Sequence, residues 1–255
     1  SHIDARNIGG LQTADAQEIM IEISHLHKRF GKFAALQDIS LSIMRGKVTG
    51  IIGPNGSGKT TLIKSILGLV HPTSGTLSVN GFLLNGDAAY RRWIGYMPQL
   101  ARFPQDLKGW EIIKMIKRLR AEEPSHENEL IELFQLRPEL DKRIRALSGG
   151  NRQKLSIVIS CMYDPDLLIF DEPTAGLDPV SATRLKDFIQ SLKQKNKTVI
   201  MASHILSDIE ELADDVVLLL EGRIRFCGSV RDLKLRTGQP LLERAIVDIL
   251  EEDAA

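Results

Sequence analysis

Apolar residues recur along this chain in two periods, and the periods divide it into elements. Ile19 to Ser24 alternates apolar and polar, which predicts a half-buried strand. Leu26 to Phe30 carries it on to a turn at Gly31. Ile39, Leu41 and Ile43 share one face of a second alternating strand. Further strands are predicted at Val48 to Ile52, Thr76 to Val79, Arg91 to Met97, Leu167 to Phe170, Thr198 to Ala202, Val216 to Leu220 and Arg223 to Phe226. Between them the spacing becomes helical. Leu62, Ile63, Ile66, Leu67 and Leu69 recur at three and four. In Glu111 to Ala121, Ile112, Ile113, Met115, Ile116 and Leu119 form one face, with lysines and arginines opposite. Asn128 to Leu136, Arg152 to Met162, Val180 to Leu192, Leu206 to Leu212 and Leu241 to Leu250 follow the same rule. Short, wholly apolar strands separated by helices predict an α/β fold around a mostly parallel core sheet. The alternating strands before Lys47 predict a peripheral antiparallel β subdomain. Trp110 to Tyr163 is mostly helical and lies between two strand-rich parts, so it reads as an inserted helical subdomain. Residues 1–18 show no apolar period and read as a disordered arm or a remnant of expression. Residues 236–255 read as a linker and a short C-terminal helix.

The turn between Val48–Ile52 and the helix after it carries the first chemistry. Gly53, Pro54, Asn55, Gly56, Ser57, Gly58, Lys59 and Thr60 fit G-x-x-x-x-G-K-[ST], with Thr61 following, between a predicted strand and a predicted helix. Backbone N–H groups must turn inward to hold phosphate oxygens, and side chains would obstruct them, so glycine is favoured. The helix start adds free N–H groups and a positive dipole end. Lys59 supplies a full charge toward the β/γ-phosphates, and Thr60 a hydroxyl for Mg²⁺.

The second feature is Leu167-Leu168-Ile169-Phe170, a buried strand ending in Asp171 and Glu172. Ligands of open α/β sheets bind at the carboxyl ends of the strands. Buried carboxylates are costly without a cation, so Mg²⁺ on Asp171 and a water polarised by Glu172 are the expected partners. Ser203 and His204 close the next strand, which makes His204 a candidate for the γ-phosphate. Phe30, at the end of its strand, either stacks on a nucleotide base or packs as an ordinary core or surface residue.

Composition narrows the class. The sequence has 33 Lys+Arg and 33 Asp+Glu, and this zero formal charge weakens a broad nucleic-acid-binding surface. No apolar run reaches the length of a transmembrane helix, so a membrane role requires another chain to supply the span. Cys161 and Cys227 have no metal-ligand spacing. They suggest a reducing compartment, with both expected as small apolar core residues.

Taken with Leu147-Ser148-Gly149-Gly150, Gln99 and Ala175-Gly176-Leu177-Asp178, these motifs resemble the nucleotide-binding subunit of ABC transporters, over roughly Ile19 to Leu233. The resemblance implies a P-loop NTPase fold of ABC type across residues 19–235, with residues 100–163 as the inserted helical subdomain. It implies an ATPase using Mg²⁺. Phe30 would stack on adenine, and Gln99 would sense Mg²⁺ and the attacking water. Glu172 would be the catalytic carboxylate and His204 the γ-phosphate contact. Asp171 and Thr60 would serve the metal, and Asp178 would communicate across a dimer. Ser148, Gly149 and Gly150 of one chain would complete the site begun by Lys59 of another. Expected partners are a second nucleotide-binding subunit and integral membrane permease subunits, at the cytoplasmic face of the membrane, with no nucleic acid. A soluble ABC protein acting on DNA or ribosomes is the rival reading, although neither coiled-coil insertions nor a second cassette are present. Asn151 departs from the usual Gln of the signature, and Phe30 stands where Tyr is commoner. Gly95 to Gln99 with Arg102-Phe103-Pro104, and Leu233 to Gly238, further resemble the ATPase of nitrous-oxide-reductase maturation, within the ABC-2 exporters. Phe103, Pro104 and Trp110 are expected as an exposed apolar patch for a membrane partner.

Overall fold

The computed structural model describes residues 18–252, so the expected arm lies, apart from Glu18, outside the described residues. In chain order the elements begin with β1 (Ile19–Phe30), β2 (Phe33–Met44), β3 (Val48–Ile52), α1 (Lys59–Ile66), β4 (Ser74–Val79), β5 (Phe82–Leu83) and β6 (Ile94–Met97). Three helices follow: α2 (Gly109–Arg120), α3 (Glu127–Leu133) and α4 (Gly149–Cys161). The remainder comprises β7 (Leu167–Asp171), α5 (Pro179–Gln194), β8 (Thr198–Ala202), α6 (Leu206–Leu212), β9 (Asp215–Leu220), β10 (Arg223–Ser229), α7 (Val230–Thr237) and α8 (Leu242–Glu252).

Two sheets form. One is antiparallel, ordered β2-β1-β4-β5; the other is ordered β10-β9-β3-β8-β7-β6. In the second, β9, β3, β8, β7 and β6 run parallel, and only β10 is antiparallel. The parallel strands are buried on both faces, which is why β3, β7 and β8 read as unbroken apolar runs. Successive side chains still alternate between two layers. Ile51, Ile169, Ile200 and Val217 join Leu62, Ile63 and Ile66 of α1 and the inner face of β1 and β2. Leu168, Phe170, Met201 and Leu218 face the opposite layer, with Ile112, Leu130, Phe134, Leu155 and Leu185 from the helices.

The architecture matches the α/β class expected, and the departures from it are local. β2 begins at Phe33, well before Ile39, because its first half pairs with β1 as a hairpin in which Phe30 faces Phe33. Leu69 lies beyond α1 and is exposed, as is Leu119 at the end of α2, so neither belongs to its helix's core face. Cys161 is buried as expected, whereas Cys227 is exposed on the outer strand β10. Phe103 is half-buried against the core instead of free on the surface, while Trp110 is exposed. Helix α7 is not apparent from periodicity, since only Leu233 among its residues is buried. Its cap was the available signal: the Ser229 hydroxyl accepts from the Asp232 N–H at 2.9 Å.

Phe134 is fully buried and meets Phe188 of α5 edge to face, with centroids 5.9 Å apart. Phe134→Ala should destabilise the fold by about 3–5 kcal/mol through the cavity it leaves, read as a lower denaturation midpoint in urea.

Candidate functional site

Strands β3, β8, β7 and β6 are consecutive neighbours in the parallel sheet, so their carboxyl ends emerge along one edge. With strands ~4.8 Å apart, the segments that follow them lie side by side. After β3 comes the loop Gly53–Gly58; after β8, Ser203 and His204; β7 ends on Asp171 and is followed by Glu172; and after β6 come Pro98 and the exposed Gln99. Four stretches that are far apart in sequence thus meet at the position where sheets of this type bind ligands.

The loop after β3 is shaped for phosphate. Gly53 has φ 151°, and a Cβ there would come within 2.2 Å of the Leu219 carbonyl. Gly58 has φ 108°, and its Cβ would strike the Ala35 carbonyl at 2.8 Å. Only glycine accommodates both the dihedral and the approach. Gly58 is also the N-cap of α1, and no side chain caps that first turn. The first N–H groups of a helix have no intrahelical acceptor; here they open beside the loop, with Lys59, Thr60 and Thr61 leading. Ser57 is 2% exposed, and its hydroxyl finds no hydrogen-bond partner among the described residues. A buried polar atom of this kind calls for an acceptor or donor from a ligand or water. Lys59 Nζ donates to the carbonyls of Gly53 at 2.6 Å and Pro54 at 3.1 Å. Burial pushes its ammonium below the ordinary lysine range, against the pull of Glu172 and Asp171.

Asp171 and Glu172 are both buried. Burial raises the Asp171 carboxyl above its ordinary range, and the neighbouring Glu172 raises it further; Lys59 and Lys64 oppose the shift. A carboxylate disfavoured in this way would gain from a bound cation. Among the described residues no group of three or more His, Cys, Asp or Glu side chains could hold a metal alone. Mg²⁺ commonly takes one or two carboxylates and completes its shell with substrate phosphates and water. Asp171 and the Thr60 hydroxyl are of the right chemistry.

Glu172 has φ 55°. Its N–H donates to the Ala202 carbonyl at 2.8 Å. Its carboxylate is met by the His204 N–H at 3.1 Å, by His204 Nδ1 at 2.7 Å and by the Ser203 hydroxyl at 3.4 Å. A carboxylate has about four lone-pair sites, so the two hydrogen-bond donors, Ser203 Oγ and His204 N–H, leave acceptor capacity free. The sequence separated Glu172 and His204 into different roles; the structure brings them into direct contact.

The remaining residues lie nearby or apart. Phe30 is 50% exposed, with Lys28 Nζ 4.9 Å above its ring, so it is not a core residue. Its hairpin runs on to Ala35 and Leu36, which abut Gly58. Ser148 is the N-cap of α4, where its hydroxyl accepts from the Asn151 N–H at 3.1 Å. Ser148 and Gly149 are exposed. Asn151 Nδ2 donates to Glu139 at 2.7 Å, which fastens the start of α4 to the turn before it. Asp178 caps α5 through Ser181, and those hydrogen bonds hold its carboxyl down at about 2. Sequence reasoning missed two buried polar groups here. Gln153 lies on the core side of α4, and Asp208 of α6 accepts from Thr174 at 2.6 Å and pairs with Lys186 at 2.7 Å. The signal for each was a polar residue at a helical spacing that places it among buried positions, with Ser156 and Ser160 beside Gln153 on α4.

Because its charged form is disfavoured in the fold, Asp171 contributes stability below the ordinary carboxylate pKa and loses that contribution as pH rises. Asp171→Asn should therefore stabilise the ligand-free chain at pH 7. The gain should shrink toward pH 4, as urea denaturation at the two pH values will show.

Comparison with known proteins places the chain. The ABC transporter family profile matches residues 36–175. SrtF, a lantibiotic transport ATP-binding protein of Streptococcus pyogenes, is 34% identical over 237 residues, covering 88% of this chain and 99% of that protein. The Nod factor export ATP-binding protein I of Ralstonia nicotianae is 33% identical over 213 residues, covering 80% of this chain and 65% of that protein. A solved ATP binding subunit of an ABC transporter superposes with a TM-score of 0.84 at 29% identity, over 91% of this chain and 99% of that one. A dimeric ATP-binding cassette in a post-hydrolysis state, bound to ADP and Pi, shares the fold with a TM-score of 0.75 at 23% identity, over 83% of this chain and 99% of its own. With its phosphate loop, its paired carboxylates and this kinship, the chain belongs to the ABC transporter family as an ATP-binding ATPase subunit.

Proposed function

We propose that Glu172 is the general base of ATP hydrolysis in a site shared between two subunits, and that this hydrolysis drives a separate membrane permease. The observation that carries the reading is the Glu172 carboxylate, buried at the carboxyl end of β7 and held by Ser203 and His204 with acceptor capacity to spare. In-line attack on a γ-phosphate needs a positioned water and an acceptor for its proton. Glu172 is the acceptor, and Gln99, at the end of the adjacent strand β6, orients the water. Lys59 and the first N–H groups of α1 bind the β/γ-phosphates, and His204 holds the γ-phosphate. Asp171 and Thr60 would hold Mg²⁺, which when bound neutralises charge on the phosphates. Phe30 offers its exposed ring to adenine.

The chain has one phosphate loop and one Leu147-Ser148-Gly149-Gly150 signature, with Ser148 and Gly149 exposed at the start of α4. A head-to-tail pair would bring the signature of one copy, with Asp178 beside it, onto the nucleotide of the other. The dimeric relative of the same fold supports such a pair. Residues 100–163 act as the inserted unit. The loop after Gln99, with the exposed Trp110, is the face offered to the permease at the inner surface of the membrane. The Nod factor export relative supports an exporter, and the compact form of the chain favours the ABC-2 type. The resemblance at Gly95–Gln99 and Leu233–Gly238 favours nitrous-oxide-reductase maturation within that class.

Glu172→Gln keeps the shape of the side chain and removes its negative charge. Steady-state ATPase should fall by ~10²-fold or more, the range of general-base contributions. With ATP and Mg²⁺ the variant should elute from a sizing column as a dimer, and with ADP as a monomer. Parent-rate hydrolysis would remove Glu172 from the chemistry. An inactive variant that stays monomeric would remove the shared site.

A further inference from the structure

The first turns of α4 touch the segment after β7 at three points. A Cβ on Gly150 would come within 3.1 Å of the Gly176 carbonyl, and Lys154 Nζ lies 3.7 Å from Asp178 Oδ2. Between these contacts, the buried Gln153 donates from Nε2 to the carbonyls of Glu172 at 3.2 Å and Pro173 at 3.3 Å.

These two hydrogen bonds reach an unusual piece of backbone. Glu172 sits at φ 55°, in the left-handed region. A non-glycine residue there costs of order 1 kcal/mol or more and persists only where its surroundings impose it. The peptide on its amino side is fixed by the N–H bond to Ala202 of β8. The peptide on its carboxyl side is held at the Glu172 carbonyl by two donors, the Gln153 amide and the Ala175 N–H, each at 3.2 Å. With both planes held, the Cα–Cβ direction of Glu172 is set, and so is the approach of its carboxylate to Ser203 and His204. One anchor is the central sheet, and a second is the local turn closed by Ala175. The third, and the one that comes from outside this segment and the sheet, is a helix whose N-terminus carries Ser148, Gly149 and Gly150.

We propose that Gln153 is a positioning residue for Glu172, through which the placement of α4 sets the alignment of that carboxylate. This rests on Glu172 being the base. In a head-to-tail pair, the nucleotide gripped by Ser148 and Gly150 belongs to the other site. Gln153 then links closure of one site to the readiness of the base in the second, within a single helix of a single chain.

Gln153→Met tests this, because methionine has similar length and no donor; Gln153→Glu, which keeps the shape and replaces the donor by an acceptor, serves if the first does not fold. Either variant should lower kcat for ATP hydrolysis by roughly 10-fold or more, the scale of a small misplacement at a reacting group. KM for ATP should stay within about twofold, as expected when only transition-state interactions are lost. In a Glu172→Gln background, the variant should still form the dimer with ATP and Mg²⁺, at the midpoint ATP concentration of the single variant. A parent kcat would overturn the proposal. So would parallel losses of kcat, ATP affinity and dimerisation, because they would mark Gln153 as packing for α4 alone. The Glu172→Gln single variant, run alongside, reports separately on the base and on the dimer.

Discussion

Two adjacent carboxylates are buried at the end of one strand, and the surrounding structure answers for their charge. Asp171 and Glu172 follow four apolar residues of β7, so the chain itself carries them out of water. Burying an ionised group without a partner costs several kcal/mol. The two are handled differently. Glu172 is satisfied within the protein, by the backbone and ring of His204 and the hydroxyl of Ser203. Asp171 is not: burial and the charge of Glu172 push its carboxyl up, and only Lys59 and Lys64 pull it down. One carboxylate is therefore fixed in place, and its neighbour is left with a demand for positive charge.

That difference depends on strand order. Glu172 reaches His204 because β8 lies beside β7, in register from Leu167 to Asp171. Lys59 is near enough to act on Asp171 because β3 lies on the other flank of β8. A phosphate loop needs only a strand, a turn and a helix; a site for hydrolysis needs those elements beside the correct second and third strands. The central sheet supplies that adjacency, and its two apolar layers hold it rigid.

Much of this was legible in the sequence, for identifiable reasons. The unbroken apolar runs of β3, β7 and β8 mark strands buried on both faces, and the glycine spacing after β3 marks a loop that side chains would block. Gly58 illustrates how far that reading reaches: φ and close approach both exclude any other residue. What could not be read is contact between distant segments. Nothing in the order of residues shows that His204 meets Glu172, that Asn151 grips Glu139, or that the Gln153 amide ends on two carbonyls of another loop. The exposed Leu69 and Leu119 show the converse limit: a period continues past the point where neighbouring structure stops covering it. Helix α7 has almost no period to detect, because it lies on the surface and buries only Leu233.

The contacts of Lys59 bear on the timing of a working cycle. Its ammonium is already bonded to the Gly53 and Pro54 carbonyls. If Lys59 serves a phosphate as proposed, an arriving phosphate would exchange places with two carbonyl oxygens and would not capture an idle cation. The same exchange would run backwards when a product departs, with the carbonyls there to take the ammonium back. Under that reading, part of the grip on a nucleotide goes into displacing those carbonyls, and such a self-latching turn would favour turnover over tenacity.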